Sequence, residues 1–266
     1  MKVALTVAGS DSSGGAGIQA DIKTMTALGV YAESVITALT AQNTVGVQGV
    51  VVPEPDFVEQ QIESVMTDIY PDAVKIGMLP TAEVVQAVAR GLRRFAVQHV
   101  VLDPVMVATS GASLSEDAAV RALTEELLPL AEVVTPNIPE AEVLSGMTIQ
   151  SPDDMIAAAH AIQQLGVAAV LIKGGHFADR ADDVLLLPDE QVVWFKEERI
   201  DTHNTHGTGC TLSSAIASWL ALGCELEEAI GRAKRYLTGA LKHGYDLGKG
   251  TGPVNHLWQL RFEHKQ

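Results

Sequence analysis

Short runs of four to six aliphatic residues recur along this chain, each followed by a longer amphipathic stretch. An aliphatic run without polar interruption suits a strand covered on both faces. A parallel neighbour for such a strand requires a crossover long enough to hold a helix. Strands are predicted at residues 3–8, 34–39, 73–76, 99–102, 133–135, 169–172, 184–187 and 192–195. Helices are predicted at residues 17–28, 56–69, 82–95, 116–128, 139–144, 152–165, 209–222 and 226–243. Alternation of this kind argues for an α/β fold, with a largely parallel central sheet between two helix layers. Leu187-Pro-Asp-Glu-Gln191 reads as the turn of a local antiparallel addition. No low-complexity linker, charge block or fixed-period repeat breaks the pattern, so residues 1–266 read as one domain.

Composition narrows what such a fold can bind. Hydrophobic residues make up 47% of the chain and aromatics 5%, which points to an aliphatic interior. The net charge of −15, from 33 acidic and 18 basic residues, repels nucleic acid and anionic lipid. An anionic ligand must therefore be held by local devices: helix ends, one or two lysines, or a metal. No run of 18 apolar residues marks a membrane span, and the apolar stretch after Met1 is too short for a signal peptide. Cys210 and Cys224 form neither a disulfide framework nor a metal quartet. These features lead to the expectation of a cytoplasmic protein without nucleic-acid or membrane partners.

In open parallel sheets, ligands gather beyond the carboxyl ends of the strands. The loops expected there are 9–17, Ala41-Gln-Asn-Thr44, Gly77-Met-Leu79, Asp103-Pro-Val-Met106, Thr135-Pro-Asn-Ile-Pro-Glu140 and Lys173-Gly-Gly-His176. Most of the polar and glycine-rich features fall on that one edge, which favours an enzyme over a scaffold. The most pointed is His206-Gly-Thr-Gly-Cys210, followed at once by a small-residue helical run. The first turn of a helix offers N–H groups with no partner of their own, and such a terminus binds phosphate. A cysteine placed there sits in a field that favours its thiolate. The alternative is a capped helix with a small buried cysteine.

Other motifs carry two readings each. Gly15-Ala-Gly-Ile-Gln-Ala20 fits a dinucleotide fingerprint, but residues 34–53 contain no acid to hold a ribose hydroxyl. No P-loop is present, nor a protein-kinase H-R-D or D-F-G set. Asn137-Ile-Pro-Glu140 is either a capping box or, with Asp103, a pair of carboxylates near metal-bound phosphates. Lys173, ending an apolar strand, needs an anionic partner, which a structural acid or a nucleotide phosphate can supply. His176, His203 and His206 read as loop hydrogen-bonders. Gln42 is a polar loop residue, or the side-chain amide that reads an aminated heteroaromatic edge. Met78 is a core gap-filler, or the cover of a ring face.

Taken together, these loops resemble the hydroxymethylpyrimidine/phosphomethylpyrimidine kinases of thiamine biosynthesis, within the ribokinase superfamily. The matching segments begin with the stretches from Thr6 to Thr24, Thr37 to Thr44 and Lys75 to Leu79. They continue from Val101 to Met106, Thr135 to Ala141, Lys173 to His176, Asn204 to Leu212 and Gly250 to His256, in family order along the whole chain. The resemblance implies a ribokinase-like three-layer α/β/α sandwich. It implies ATP-dependent phosphorylation of 4-amino-5-hydroxymethyl-2-methylpyrimidine and then of its monophosphate, with Mg²⁺ as cofactor and a homodimer as the assembly. By the same resemblance the Gly207-Thr208-Gly209-Cys210 amides form the anion hole and Cys210 stands at the position of the superfamily's base. Gln42, Gly9, Asp21, Met78 and Val105 would bind the pyrimidine. Asn137, Lys173, Thr205 and Thr211 would face ATP, with Asp103 and Glu140 at the metal. A pyridoxine or pyridoxal kinase, or a dual pyrimidine/B6 kinase, is the alternative. Many relatives carry Lys in the loop 108–111, where this chain has Thr109.

Overall fold

The computed structural model describes residues 1–106, 117–175 and 181–260. The loop around Thr109, the residue His176 and the first position of the helix expected at 116–128 lie outside them. A nine-stranded sheet runs through the described chain in the order β3-β2-β1-β4-β5-β6-β7-β8-β9. Its strands are β1 (Val3–Asp11), β2 (Tyr31–Asn43), β3 (Gly46–Val51), β4 (Ala73–Ile76), β5 (Val100–Leu102), β6 (Val133–Val134), β7 (Ala169–Ile172), β8 (Asp183–Leu186) and β9 (Val192–Phe195). From β2 through β1 and β4 to β7 every pairing is parallel. β3 adds to one edge antiparallel, and β8 and β9 extend the other the same way.

Two-residue periodicity divides the core. Val74 and Ile76 of β4, Val100 and Leu102 of β5, and Val170 and Ile172 of β7 point to one face. They meet α2 (Pro55–Met66), α3 (Ala82–Phe95), α4 (Asp117–Ala122), α5 (Ile138–Ser145) and α6 (Pro152–Gln163) there. Ala73, Val101, Ala169 and Leu171 point to the other face, under α1 (Gly17–Ala27), α7 (Thr208–Ala221) and α8 (Leu226–Lys242). This is the three-layer sandwich expected from the alternation. Of the helices, α7 decides where the site lies. It is flanked by α1 and α8 and lies over β1, β4 and β5. Its small residues Ser213, Ser214, Ala215, Ala217 and Ser218 are all buried, so the helix approaches the sheet closely.

Three expectations are corrected. The segment 46–51, for which no element is predicted, forms β3, and β2 continues to Asn43 to pair with it. Four of the six β3 residues are exposed and two are glycines, so no buried face imprinted itself on the sequence. Residues 116–128 were expected as one helix. The chain instead follows α4 with a π-helical turn, Leu123–Leu127, and a 3₁₀ turn, Leu128–Leu130. Pro129 in the second turn lacks the N–H that a regular helix would use there. β1 runs on to Asp11, through residues assigned to a loop on their glycine and polar content.

Candidate active site

The carboxyl ends of β1, β4, β5, β6 and β7 share one edge, and α7 opens there. Gly207 caps the helix with φ 82°, in the left-handed region. A Cβ on Gly207 would stand 1.9 Å from the carbonyl oxygen of Gly15, so only glycine allows the two loops to touch. Thr208 donates its N–H to the Thr205 carbonyl at 3.3 Å, and Thr211 donates to Gly207 at 2.9 Å. The N–H groups of Gly209 and Cys210 have no acceptor among the described residues. They are the orphan donors that an anion would satisfy.

Charge of both signs faces that cradle. A Cβ on Gly209 would lie 3.4 Å from Asp103 Oδ2 and 3.6 Å from Lys173 Nζ. Lys173, from the end of β7, donates to Asp103 Oδ1 at 3.0 Å and stands 4.0 Å from Glu140. Thr135 and Ser213 donate to the buried Asp103 at 3.3 Å each. Burial works against the Lys173 ammonium, but Asp103 and Glu140 override it and raise its pKa. Burial pushes the Glu140 carboxyl up to about 7; Lys173 opposes that rise and the Asp103 charge adds to it. The Asn137–Glu140 capping box is formed in full, with Asn137 N–H donating to Glu140 at 2.8 Å and Glu140 N–H to Asn137 Oδ1 at 2.9 Å. Glu140 thus caps its helix while lying beside Asp103 and Lys173. Two carboxylates crowded around one lysine fit a Mg²⁺ ion that draws its remaining ligands from phosphate and water.

Cys210 is half-buried at the start of α7. Burial, the largest influence, pushes its thiol up to about 11. Lys75 and a hydrogen bond from the Gly17 main chain pull the other way, and Asp21 and Asp103 reinforce the rise. The expectation that this position favours a thiolate is corrected: burial, with Asp21 and Asp103, outweighs Lys75 and the Gly17 hydrogen bond.

On the β1–β2 side the small residue Gly9 faces Met78. A Cβ on Gly9 would be 3.0 Å from the Met78 sulfur, and Thr37 donates to the Met78 carbonyl at 2.7 Å. Val105 is half-buried, with its N–H on the Asp103 carbonyl at 2.8 Å. Gln42 lies on β2, not in a loop, at a register shift between Ala41 and Gln42. Such irregularities re-aim side chains. Its Oε1 accepts from Thr40 at 3.1 Å, and Ser12 Oγ brackets its main chain at 2.8 and 2.9 Å. Thr205 is half-buried in the turn that leads to Gly207.

Two residues expected at ligands are placed elsewhere. Asp21 is fully buried and binds Thr6 at 2.6 Å, Lys75 at 2.9 and 3.0 Å, and Ser214. It ties α1, β1, β4 and α7 together beneath the site and has no surface to offer a pyrimidine. Thr211 is also fully buried, its hydroxyl turned back to the Gly207 carbonyl at 2.8 Å, so it shapes the helix start. The Lys75–Asp21 pair was legible in principle. A lysine inside the four-residue strand β4, buried throughout, demands a buried carboxylate by the same reasoning applied to Lys173. Asp11 was hidden among serines and glycines that read as loop.

A profile of the phosphomethylpyrimidine kinase family matches residues 11–255. The thiamine biosynthesis bifunctional protein ThiED of Geobacter sulfurreducens is 54% identical over 254 residues, which are 95% of this chain and 52% of that protein. The chain therefore spans about half the length of that relative. A hydroxymethylpyrimidine/phosphomethylpyrimidine kinase of Rhizobium meliloti is 51% identical over 258 residues, 96% of this chain and 97% of its own. Among solved structures, an ADP complex of Bacillus subtilis pyridoxal kinase superposes with a TM-score of 0.90 at 40% identity, covering 97% of this chain and 98% of that one.

Proposed function

The chain belongs to the phosphomethylpyrimidine kinase family, and from that premise we propose that it transfers the γ-phosphoryl group of ATP to 4-amino-5-hydroxymethyl-2-methylpyrimidine and then to its monophosphate. The observation that carries this reading is the pair of N–H groups at Gly209 and Cys210 without an acceptor among the described residues, beside Lys173 and Asp103. Phosphoryl transfer asks for positioning and for neutralisation of charge on three equatorial oxygens. Main-chain donors and Lys173 supply both without adding a net positive patch, which suits a chain of net charge −15.

In the proposed reaction the hydroxymethyl oxygen attacks the γ-phosphorus in line, the bond to the ADP oxygen breaks, and the hydroxyl proton departs late. Gly207 and Thr208 shape the cradle, Gly209 and Cys210 donate to the moving group, and Lys173 holds the phosphates. Asp103 and Glu140 would hold a magnesium ion, which supplies charge neutralisation at the phosphates when bound. Asn137 positions Glu140 through the capping box. Thr205 fixes the approach to the helix. Cys210 keeps its proton in the resting protein, so its S–H orients the reacting oxygens, and the hydroxyl proton passes late to an oxygen of the transferred phosphoryl group.

For the acceptor, Gln42 offers its amide to the aminopyrimidine edge, while Gly9, Met78 and Val105 line the ring. The pyridoxal kinase of known structure supports a B6 alcohol as the second reading. Gln42 argues against it, because a pyridine ring lacks the paired donor and acceptor of an aminopyrimidine. The exposed edge strand β3 supports a homodimer. Leu39 and Val51 are cross-strand partners there, 49% and 65% exposed.

The test is ADP release measured with the pyrimidine alcohol, its monophosphate and pyridoxal in parallel. The reading expects turnover with the first two and weaker turnover with pyridoxal. Release with pyridoxal alone, or with none of the three, overturns it. Replacing Gln42 by Met should lower kcat/KM for the pyrimidine alcohol by at least about tenfold more than for pyridoxal.

A further inference from the structure

Asp11 is a buried carboxylate that accepts five hydrogen bonds, two of them from Ser13 at 2.8 Å. Two more come from the N–H groups of Gly15 at 3.1 Å and Ala16 at 2.8 Å. The fifth joins it to the imidazole of His206 at 2.8 Å, across 195 positions of sequence. His206 is itself buried and is the residue immediately before Gly207. Its main chain is held from a third segment, with the N–H on the Gly252 carbonyl at 3.0 Å and a bridge to Pro253. A Cβ on Gly15 would stand 2.3 Å from the His206 ring, so that glycine makes room for the imidazole. The glycines that imitate a dinucleotide fingerprint therefore serve contact between two loops.

From this arrangement we propose that Asp11 and His206 form a positioning pair, which sets the left-handed turn at Gly207 and so aims the Gly209 and Cys210 N–H groups at the migrating phosphoryl group. The pair touches neither substrate. It acts through the main chain, because one carboxylate oxygen accepts from the Gly15 and Ala16 N–H groups and from the imidazole together. Gly17, at the end of the same loop, is hydrogen-bonded through its main chain to Cys210. One carboxylate thus sets the two loops that meet at the sulfur. Burial disfavours the Asp11 charge, but the His206 and Ser13 bonds outweigh it and bring the carboxyl down to about 2. An ionised carboxylate can only accept, so His206 Nε2 carries a proton.

The proposal rests on the kinase reading, and its experiment keeps the two apart. His206 is the residue to vary, since the neighbour of Asp11, Ser12, also holds the Gln42 main chain. His206→Ala should lower kcat by at least about tenfold while leaving KM for the pyrimidine alcohol within about threefold, the signature of a misaimed transition-state contact. His206→Gln keeps an N–H donor and should recover most of that loss. In the unaltered protein, imidazole ¹⁵N–¹H spectra should show the His206 Nε2 proton protected from exchange, a readout independent of whether a variant folds. A freely exchanging Nε2 proton overturns the pair. So does full kcat in folded His206→Ala, or equal kcat loss in folded Gln and Ala variants. Absence of ADP release from the unaltered chain with the pyrimidine alcohol removes the kinase reading instead, whatever the variants do.

Discussion

Cys210 and Asp11 illustrate how burial and hydrogen bonding compete at single residues. At Cys210 burial wins and the thiol rises to about 11. At a fixed pH near 8 the thiolate fraction is then lower by roughly 10² than for an unshifted thiol. Iodoacetamide should accordingly alkylate Cys210 in the unliganded protein slowly, with a rate that climbs until about pH 11; a plateau near pH 8 would contradict this. At Asp11 hydrogen bonds win and the carboxyl falls to about 2. A depressed carboxyl pKa stabilises the fold above the unfolded value near 4, and that contribution disappears as pH falls through about 2. Asp11→Asn should remove about 1 kcal/mol at pH 7 once solvent screening is allowed for, and acid titration of its unfolding free energy should show a shallower slope between pH 4 and 2 than the wild type. Wild-type slope retained in the variant would place the acid sensitivity elsewhere.

The helix α7 is where local rules and function coincide. Its glycine turn, its small-residue face and its orphan donors were all readable from Gly207-Thr-Gly-Cys210 and the run after it, because each depends on residues within one turn. What sequence could not supply was the long-range partner. The contact of Gly207 with Gly15, and the bonding of Asp21 to Ser214, join positions nearly two hundred residues apart without any periodic signature. β3 escaped for the opposite reason, since an edge strand with most of its residues exposed leaves no apolar alternation to detect. The capping box at Asn137 was legible as a local pattern, but the carboxylate's place beside Lys173 was not. At this scale the sharpest prediction concerns Gly207→Ala. The added methyl meets the Gly15 carbonyl in a backbone region that disfavours it, so kcat should fall by at least about 10² and the melting temperature should drop. Wild-type values of both would contradict the packing described for the two loops.

Across the whole molecule, net negative charge coexists with a site whose lysines are each paired with carboxylates. Lys75 and Lys173 lie near the start of α7 but are paired with Asp21 and with Asp103 and Glu140, so in a chain of net charge −15 an anion is held by short-range main-chain donors rather than by the surface as a whole. Kinase activity should therefore depend weakly on ionic strength. The edge of the sheet carries the other global consequence. Unpaired strand edges with exposed valines favour association, and light scattering should report a dimer that Val51→Lys converts to monomer; a monomeric wild type would contradict the proposed assembly. The central claim remains that the first-turn amides of α7 receive the phosphoryl group. The most direct measurement is the ¹H–¹⁵N spectrum of the labelled protein titrated with Mg²⁺, ADP, fluoroaluminate and the pyrimidine alcohol. The account predicts that the Gly209 and Cys210 amide signals move downfield together on formation of that complex. Resonances of Gly209 and Cys210 that stay in place while those of Gln42 and Met78 shift would contradict it.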